Sequence, residues 1–480
     1  MENKQSEYEC CILGAGPAGL AAANELIKNN IKNIVIIEKN NLVGGLSRTE
    51  VKDNYRFDVG PHRFYTKNNT INNLWHEMLG KDFIPVDRLT RIYYNNKFFN
   101  YPIKALDTFI KLGPLESLQA LYSFSLTKLQ RYQNDAETFD QWIIQKFGSK
   151  LYETFFKTYT EKVWGIPCNK IGAEWAAQRI KGLDIVQVLK SALHINKSNN
   201  IKTLVEQFDY PILGAGQMYN AFADKISDHG AEIRLNTIVE KIVSTENKII
   251  SVNVKDESGK LETIFSKSFF SSIPLTHFFH KLIEKPSAQV SSAVESLYYR
   301  EHITVDLLID GDNIFPDQWI YIHAPHVKMA RIANYNNFSK AMVNFEKKTA
   351  LSVEYFVFQN EELWQMRDEE IIQLASDELE QLKLIDKKKI LKSWVIRETE
   401  SYPTYYLGYK EPYEILKKEI MKYVNLFPIG RGGMYKYNNQ DHSIMSGILA
   451  AQNYLKLDGN PQDIWSINID AEYLEAAKRN

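Results

Sequence analysis

Glu9-Cys10-Cys11-Ile12-Leu13-Gly14-Ala15-Gly16-Pro17-Ala18-Gly19 is the stretch on which the fold turns. Glu9 to Leu13 is a short apolar run that reads as a strand and breaks into a glycine loop. Leu20 to Lys28 follow with Ala and Leu at helical spacing. Asn30 to Lys32 make a polar turn, and Ile34 to Ile37 form a second apolar strand ending at Glu38. Strand, glycine loop, helix, strand and acid within about 30 residues is far more specific than the glycines alone. Each glycine has its own reason. Gly14 permits a tight turn, Gly16 lets a diphosphate approach the backbone, and Gly19 lets the helix pack on the strand. The diphosphate rests on N–H groups at the helix N-terminus. Glu38, 19 residues beyond Gly19, is placed to accept both hydroxyls of an unphosphorylated ribose. The prediction is an α/β chain with a Rossmann-like dinucleotide-binding unit.

Working outward, Gly44-Gly45-Leu46-Ser47-Arg48 supplies a second glycine pair soon after the acid. Such a pair points to FAD rather than NAD: Gly45 brings backbone near the diphosphate and Arg48 adds charge. Leu89 to Tyr101 is strand-rich, and residues 103–200 are mostly helical in pattern. Phe155, Tyr159 and Val163 recur at helical spacing, so that helix is expected to be buried on a broad face. Residues 106–132, with Lys111, Glu116, Lys128 and Arg131 among apolar residues, read as a packed amphipathic segment. Ala231–Leu235, Ile238–Val243, Ile249–Val254 and Ile264–Ser268 alternate like a meander. Gly430-Arg431 follows a short apolar run, and a helix is expected from about Ser443. These readings divide the chain into a discontinuous FAD-binding domain (1–68, 203–283 and 420–470), a helical domain (103–200), and an antiparallel-sheet substrate domain (69–102 and 284–419).

The bulk properties narrow the function. At 480 residues the chain is too long for one core. Its net charge of −1 gives no electrostatic footprint for nucleic acid or an anionic membrane. No stretch approaches the ~20 apolar residues of a transmembrane helix, and Met1 to Glu9 has no signal-peptide core. Cys10, Cys11 and Cys168 form no disulfide framework, which fits a cytoplasmic protein. His323 and His326 make only a pair, so no metal site is expected. No Gly-x-Ser-x-Gly elbow is present.

Three further segments resemble the UDP-galactopyranose mutase family within the amine-oxidase/protoporphyrinogen-oxidase superfamily. They are Gly60-Pro61-His62-Arg63-Phe64-Tyr65-Thr66, Tyr159-Thr160-Glu161-Lys162-Val163-Trp164-Gly165, and Gly430-Arg431 with Tyr435-Lys436-Tyr437. The second is the most specific. Arg179 is similar in place to the mutases' mobile-loop arginine, and Arg331 to their second diphosphate arginine. Tyr405-Tyr406 falls near their tyrosine pair. Asn438 and Asn439 depart from the family, where a Tyr and an Asp follow Tyr-Lys-Tyr, so the sugar or its nucleotide is open.

The resemblance implies a nucleotide-sugar substrate, conversion between pyranose and furanose rings, and covalent catalysis by reduced FAD, with NAD(P)H as a reductant and a homodimer as a further expectation. It makes His62, Arg331 and Arg179 the catalytic candidates. Arginines suit a departing diphosphate because they bind phosphate bidentately. His62 is expected against the flavin, Arg431 beside the flavin ring, and Ser443 at a helix N-terminus aimed at the flavin. Tyr159, Thr160, Trp164, Tyr405, Tyr406, Tyr437 and Asn438 are the substrate-binding candidates. For each tyrosine and for Trp164, ordinary core packing competes with ligand contact. The alternative chemistry is an FAD-dependent oxidase or desaturase, which the same fold also serves. A flavin-binding protein without catalysis is a third reading.

Overall fold

The computed structural model describes residues 6–103, 105–129, 136–173, 175, 207–282, 284–456 and 462–467. The strand Ser6–Leu13 lies between Ile34–Ile37 and Leu261–Ser271 and runs parallel to both. Cys10, Cys11 and Ile12 are fully buried. A strand covered on both faces must be apolar on both, which is why this one reads as a continuous run. The sheet runs Ile238–Thr245, Lys248–Lys255, Leu261–Ser271, Ser6–Leu13, Ile34–Ile37 and Glu232–Arg234, with Leu426–Pro428 beside the end of Leu261–Ser271. One expectation is corrected. Glu232–Arg234 does not join the meander but pairs in parallel with Ile34–Ile37 at the opposite edge. Alternation identifies a strand but says nothing of its partner.

The helix Pro17–Lys28 covers this sheet, and the helix Gln440–Leu455 crosses it closely. A Cβ on Gly447 would lie 2.1 Å from the Ala18 carbonyl oxygen, so only glycine allows that approach. A second sheet runs Ile390–Pro403, Tyr299–Asp310, Lys348–Val357, Arg331–Asn334, Trp319–Ile322, Thr90–Tyr94 and Lys97–Asn100. Its pairs are antiparallel except Trp319–Ile322 with Thr90–Tyr94.

The helical segment contains Ala105–Leu112, Pro114–Leu129, Phe139–Phe147 and Ser149–Tyr152, then a π-helical turn Glu153–Lys157 leading into Thr158–Trp164. The packed amphipathic helix expected over 106–132 is corrected. It is two helices broken at Gly113-Pro114, and Ile110, Leu115, Leu118, Tyr122 and Leu129 are all more than 60% exposed. Spacing locates an apolar stripe but not what covers it. Among the described residues no helix is long and apolar enough to cross a membrane.

Candidate active site

The glycine loop forms a cradle by contact geometry. Gly14 has φ 109°, and a Cβ there would sit 2.1 Å from Ser272 Oγ; a Cβ on Gly19 would sit 2.0 Å from the Gly14 carbonyl oxygen. Those two glycines are therefore required by the protein itself. Gly16 differs: the nearest atom to its Cβ would be Gly45 Cα at 3.9 Å. Among the described residues, a Cβ on Gly16 would make only this ordinary contact, which fits a diphosphate lying near the two glycine backbones at the head of the helix Pro17–Lys28. Glu38 is buried, and burial raises its carboxyl despite hydrogen bonds from Ala15 N–H at 2.8 Å and Asn40 N–H at 3.0 Å. Each oxygen retains a lone pair for a ribose hydroxyl. Arg48 does not present a free charge. Its guanidinium binds Glu50 at 2.7 Å, Glu398, and the Gly45 carbonyl at 3.1 Å. It ties the glycine turn to the strand Ile390–Pro403, a structural duty that the motif alone could not distinguish.

Beyond the cradle, two arginines approach His62 from different elements. Arg331 opens the strand Arg331–Asn334 and faces Glu354 across the ladder. Its Nε and Nη2 bind the two Glu354 oxygens at 2.7 and 2.5 Å, and His302 Nε2 lies 2.9 Å from the same carboxylate. Burial would raise Glu354, but the Arg331 charge and the bonds from His302 and Arg331 bring it down to about 2. Burial likewise opposes the Arg331 charge, and Glu354 overrides it. Two edges of the guanidinium are thus spent inside the protein, and Nη1 is outside the pair. The loop from Gly60 lies on this cluster: a Cβ on Gly60 would come within 3.7 Å of Arg331 Nη2 and 3.6 Å of Glu354 Oε2.

Arg431 is held differently. It donates to the carbonyls of Asn438, at 3.0 and 2.8 Å, and of Ser401, at 2.9 Å. Its Cζ lies 5.0 Å from the ring centroids of both Tyr402 and Tyr437. Among the described residues it has no carboxylate partner, so its charge is offset only by dipoles and π-faces. His62 Nδ1 is shielded from water and has no hydrogen-bond partner among the described residues. Burial, then Arg431 and Arg331, push His62 down to about 3. It is a neutral imidazole at physiological pH, and its unpaired buried nitrogen fits a polar edge of a bound ring.

The remaining candidates fall into two groups. Tyr159 and Tyr437 belong to the cluster: Tyr159 senses the Arg331 charge, and Tyr437 stacks on Tyr402 at 5.4 Å. His62, Arg331, Arg431, Tyr159, Tyr402 and Tyr437 are all half-buried and make up this cluster. The others stand behind it. Trp164 is 2% exposed and packs against Trp175, Tyr405 and Tyr437. Thr160 is buried. Tyr405 receives the Tyr437 N–H at 2.7 Å and stacks on Tyr409. Tyr406 donates to the Ser296 carbonyl at 2.7 Å and stacks on Tyr298, so it faces a different region. Asn438 acts through its carbonyl on Arg431, and its side chain is 1% exposed. Ser443 is not at a helix start. The helix begins at Gln440 with Asn439 as its cap, which puts Ser443 in the second turn. Arg179 lies outside the described residues.

Glu354, His302 and Tyr402 escaped the sequence reading. A signal existed for one of them: Glu354 is the single acid in the largely apolar run 350–357, and such a group must find a partner.

The chain matches the family of flavin containing amine oxidoreductases over residues 17–455. It is 27% identical to the dTDP-fucopyranose mutase of Escherichia coli over 169 residues, 34% of this chain and 43% of the mutase. It is 28% identical to the UDP-galactopyranose mutase of Mycoplasma genitalium over 195 residues, 37% of this chain and 44% of that protein. The match thus spans less than half the length of these curated relatives. A solved structure of reduced UDP-galactopyranose mutase superposes with a TM-score of 0.81 at 19% identity, covering 97% of this chain and 96% of that one. Putrescine oxidase bound to putrescine gives 0.62 at 14% identity, covering 94% and 99%. With the match running through nearly the whole chain and the cradle built as the cofactor requires, the chain belongs to the flavin containing amine oxidoreductase family.

Proposed function

We propose that this flavoenzyme is an FAD-dependent nucleotide-sugar mutase that interconverts the pyranose and furanose forms of a nucleoside-diphosphate hexose. The observation that carries the reading is the pair of charges Arg331 and Arg431, both close enough to push His62 down, with Tyr402 and Tyr437 against Arg431 and Tyr159 within the field of Arg331. Two half-buried guanidinium groups set against aromatic rings suit an anion carrying a sugar.

When bound, reduced flavin supplies the nucleophilic electron density that this isomerisation needs. The chain's own groups do the rest. Arg331 Nη1 binds a diphosphate oxygen and offsets the charge that develops as the diphosphate departs. Glu354 holds the guanidinium plane in one orientation. Tyr159 and Tyr437 donate to diphosphate or sugar hydroxyls. His62 stays neutral and contributes a hydrogen bond rather than a charge. Arg431 favours an anionic reduced ring beside it. Glu38 takes the ribose hydroxyls and Gly16 and Gly45 admit the diphosphate of the cofactor.

The test is anaerobic incubation of the reduced holoprotein with UDP-, dTDP- and GDP-hexopyranoses. An isomer of unchanged mass, formed only with reduced flavin, supports the mutase. Peroxide release from an amine or porphyrinogen, with no isomer from any donor, supports the oxidase or desaturase instead. The exposed apolar residues Ile110, Leu115, Leu118, Tyr122 and Leu129 favour that second reading, because an apolar substrate is delivered through apolar surface.

A further inference from the structure

One turn of the second sheet is gripped from both sides by charged side chains. It spans residues 322–330 and joins the strands Trp319–Ile322 and Arg331–Asn334. On one side Lys162 Nζ donates to the carbonyls of Ala324 at 2.8 Å, Met329 at 2.9 Å and Ile322 at 3.2 Å. An ammonium has three protons, and all three are used. On the other side the buried Glu378 carboxylate accepts the N–H of Lys328, the N–H of Met329 at 3.0 Å and the hydroxyl of Tyr355 at 3.0 Å. The cation takes the carbonyls and the anion takes the N–H groups, so the peptide chain itself bridges the two charges. A turn of this length can close through its own backbone. Desolvating a lysine and a glutamate to hold it is costly and implies that its position matters.

What the turn delivers explains the cost. It includes His323, whose ring stacks on Tyr159 at 5.0 Å and 6°, and it runs directly into Arg331. Tyr159 and Lys162 are three residues apart on the helix Thr158–Trp164, so they share a face. The end of that helix is also fastened. Arg300 donates to the carbonyls of Val163 at 3.1 Å and Lys162 at 3.2 Å. Gly165 is left-handed there, and a Cβ on it would lie 2.3 Å from Arg300 Nη1.

We propose that Lys162 and Glu378 are positioning residues that clamp turn 322–330, keeping Arg331 and Tyr159 in register across the junction of helix and sheet. The clamp itself is a property of the fold; its effect on ligand binding rests on the proposed function.

The test uses the holoprotein with Lys162→Met and, separately, Glu378→Gln, which keeps side-chain shape and covers the case in which Lys162→Met does not fold. Amide hydrogen exchange should rise about tenfold at 323–332 in each variant, while Ser6–Leu13 stays at the wild-type rate. Titration of the reduced protein with UDP, followed by flavin absorbance, should show Kd raised about tenfold in each variant, and Lys162→Arg should recover part of the loss. Arg331→Ala should cost less on top of Lys162→Met than it does alone. Unchanged exchange in the turn, exchange raised evenly along the chain, or wild-type UDP affinity in both variants overturns the proposal. If the wild-type protein binds none of UDP, dTDP and GDP, the proposed function falls, and local exchange at 323–332 alone decides the clamp; if it binds dTDP or GDP instead, that nucleotide replaces UDP in the titration.

Discussion

Replacing Arg331 by Met alone should cost much more stability than replacing it together with Glu354→Met, with the same result for ligand binding. Arg331→Met leaves a carboxylate with 0% exposure beside His302. The Glu354 carboxyl is brought from 4.5 to about 2, with burial opposing and Arg331 the leading favourable cause. At about 1.4 kcal/mol per pKa unit, that depression corresponds to roughly 3 kcal/mol of stability at neutral pH. Breaking a buried pair by removing one partner costs about 3–5 kcal/mol, which agrees. The sign follows from the depressed acid: its stabilisation is complete above pH 4.5 and is lost as pH falls towards about 2. Unfolding entropy is about 2.1 cal/mol/K per residue, so if the whole chain melts together the single variant loses roughly 3–5 °C in Tm. Arg331→Met/Glu354→Met removes the stranded charge and should recover most of that loss, less about 1 kcal/mol for the His302 bond. Differential scanning of the holoprotein at pH 7 and pH 4 reads both effects. UDP binding should be weakened alike in both variants, because both lack the guanidinium. A double variant as unstable as the single, or a single-variant deficit that does not shrink with acid, would refute this account of the pair.

Four other outcomes are expected. Gly16→Ala should leave the apoprotein's melting unchanged but lower its flavin content, since its Cβ meets nothing closer than 3.9 Å; Gly19→Ala, with 2.0 Å to the Gly14 oxygen, should destabilise the apoprotein itself. His62→Asn should change the rate without changing the shape of the pH–rate profile between pH 5 and 9, because His62 is already neutral there; a lost ionisation in that window would contradict this. Tyr406→Phe should cost about 1 kcal/mol of stability and leave KM unaltered, whereas Tyr437→Phe should raise KM. Arg431→Met should shift the flavin's reduction potential to lower values in anaerobic titration, because an uncompensated cation favours the reduced anion.

The dinucleotide unit was legible because its constraints are local. Gly14 and Gly19 are needed by atoms within a few residues or on the adjoining strand, and Glu38 caps the loop it follows. The wall of the candidate site was less legible. Glu354 meets Arg331 only through strand register, and no local pattern announces a partner 23 residues away. Tyr405 and Tyr406 are neighbours in sequence, yet one supports Tyr437 and the other bonds to Ser296. Adjacent side chains diverge, and sequence does not say which faces a ligand. Asn439 departs from the family pattern at a position that also caps the helix Gln440–Leu455, a duty the sequence pattern does not announce. Lys162 and Glu161 sit in the most specific motif, but both bind backbone, Glu161 through the Cys168 N–H at 3.2 Å. Part of that motif's specificity is therefore architectural.

The close crossing of Gly447 on Ala18 also fixes an order of events during synthesis. The strand Ser6–Leu13 waits for residues 264–271 as its neighbour, and the helix Pro17–Lys28 waits for Gln440–Leu455 as its cover. The dinucleotide unit is thus completed only by residues more than 400 positions further along the chain, and closing so long a loop is slow. A nascent chain halted near residue 400 would carry the glycine cradle without the helix that covers it, so flavin capture should follow synthesis of Gln440–Leu455 and depend on how long that open intermediate avoids aggregation.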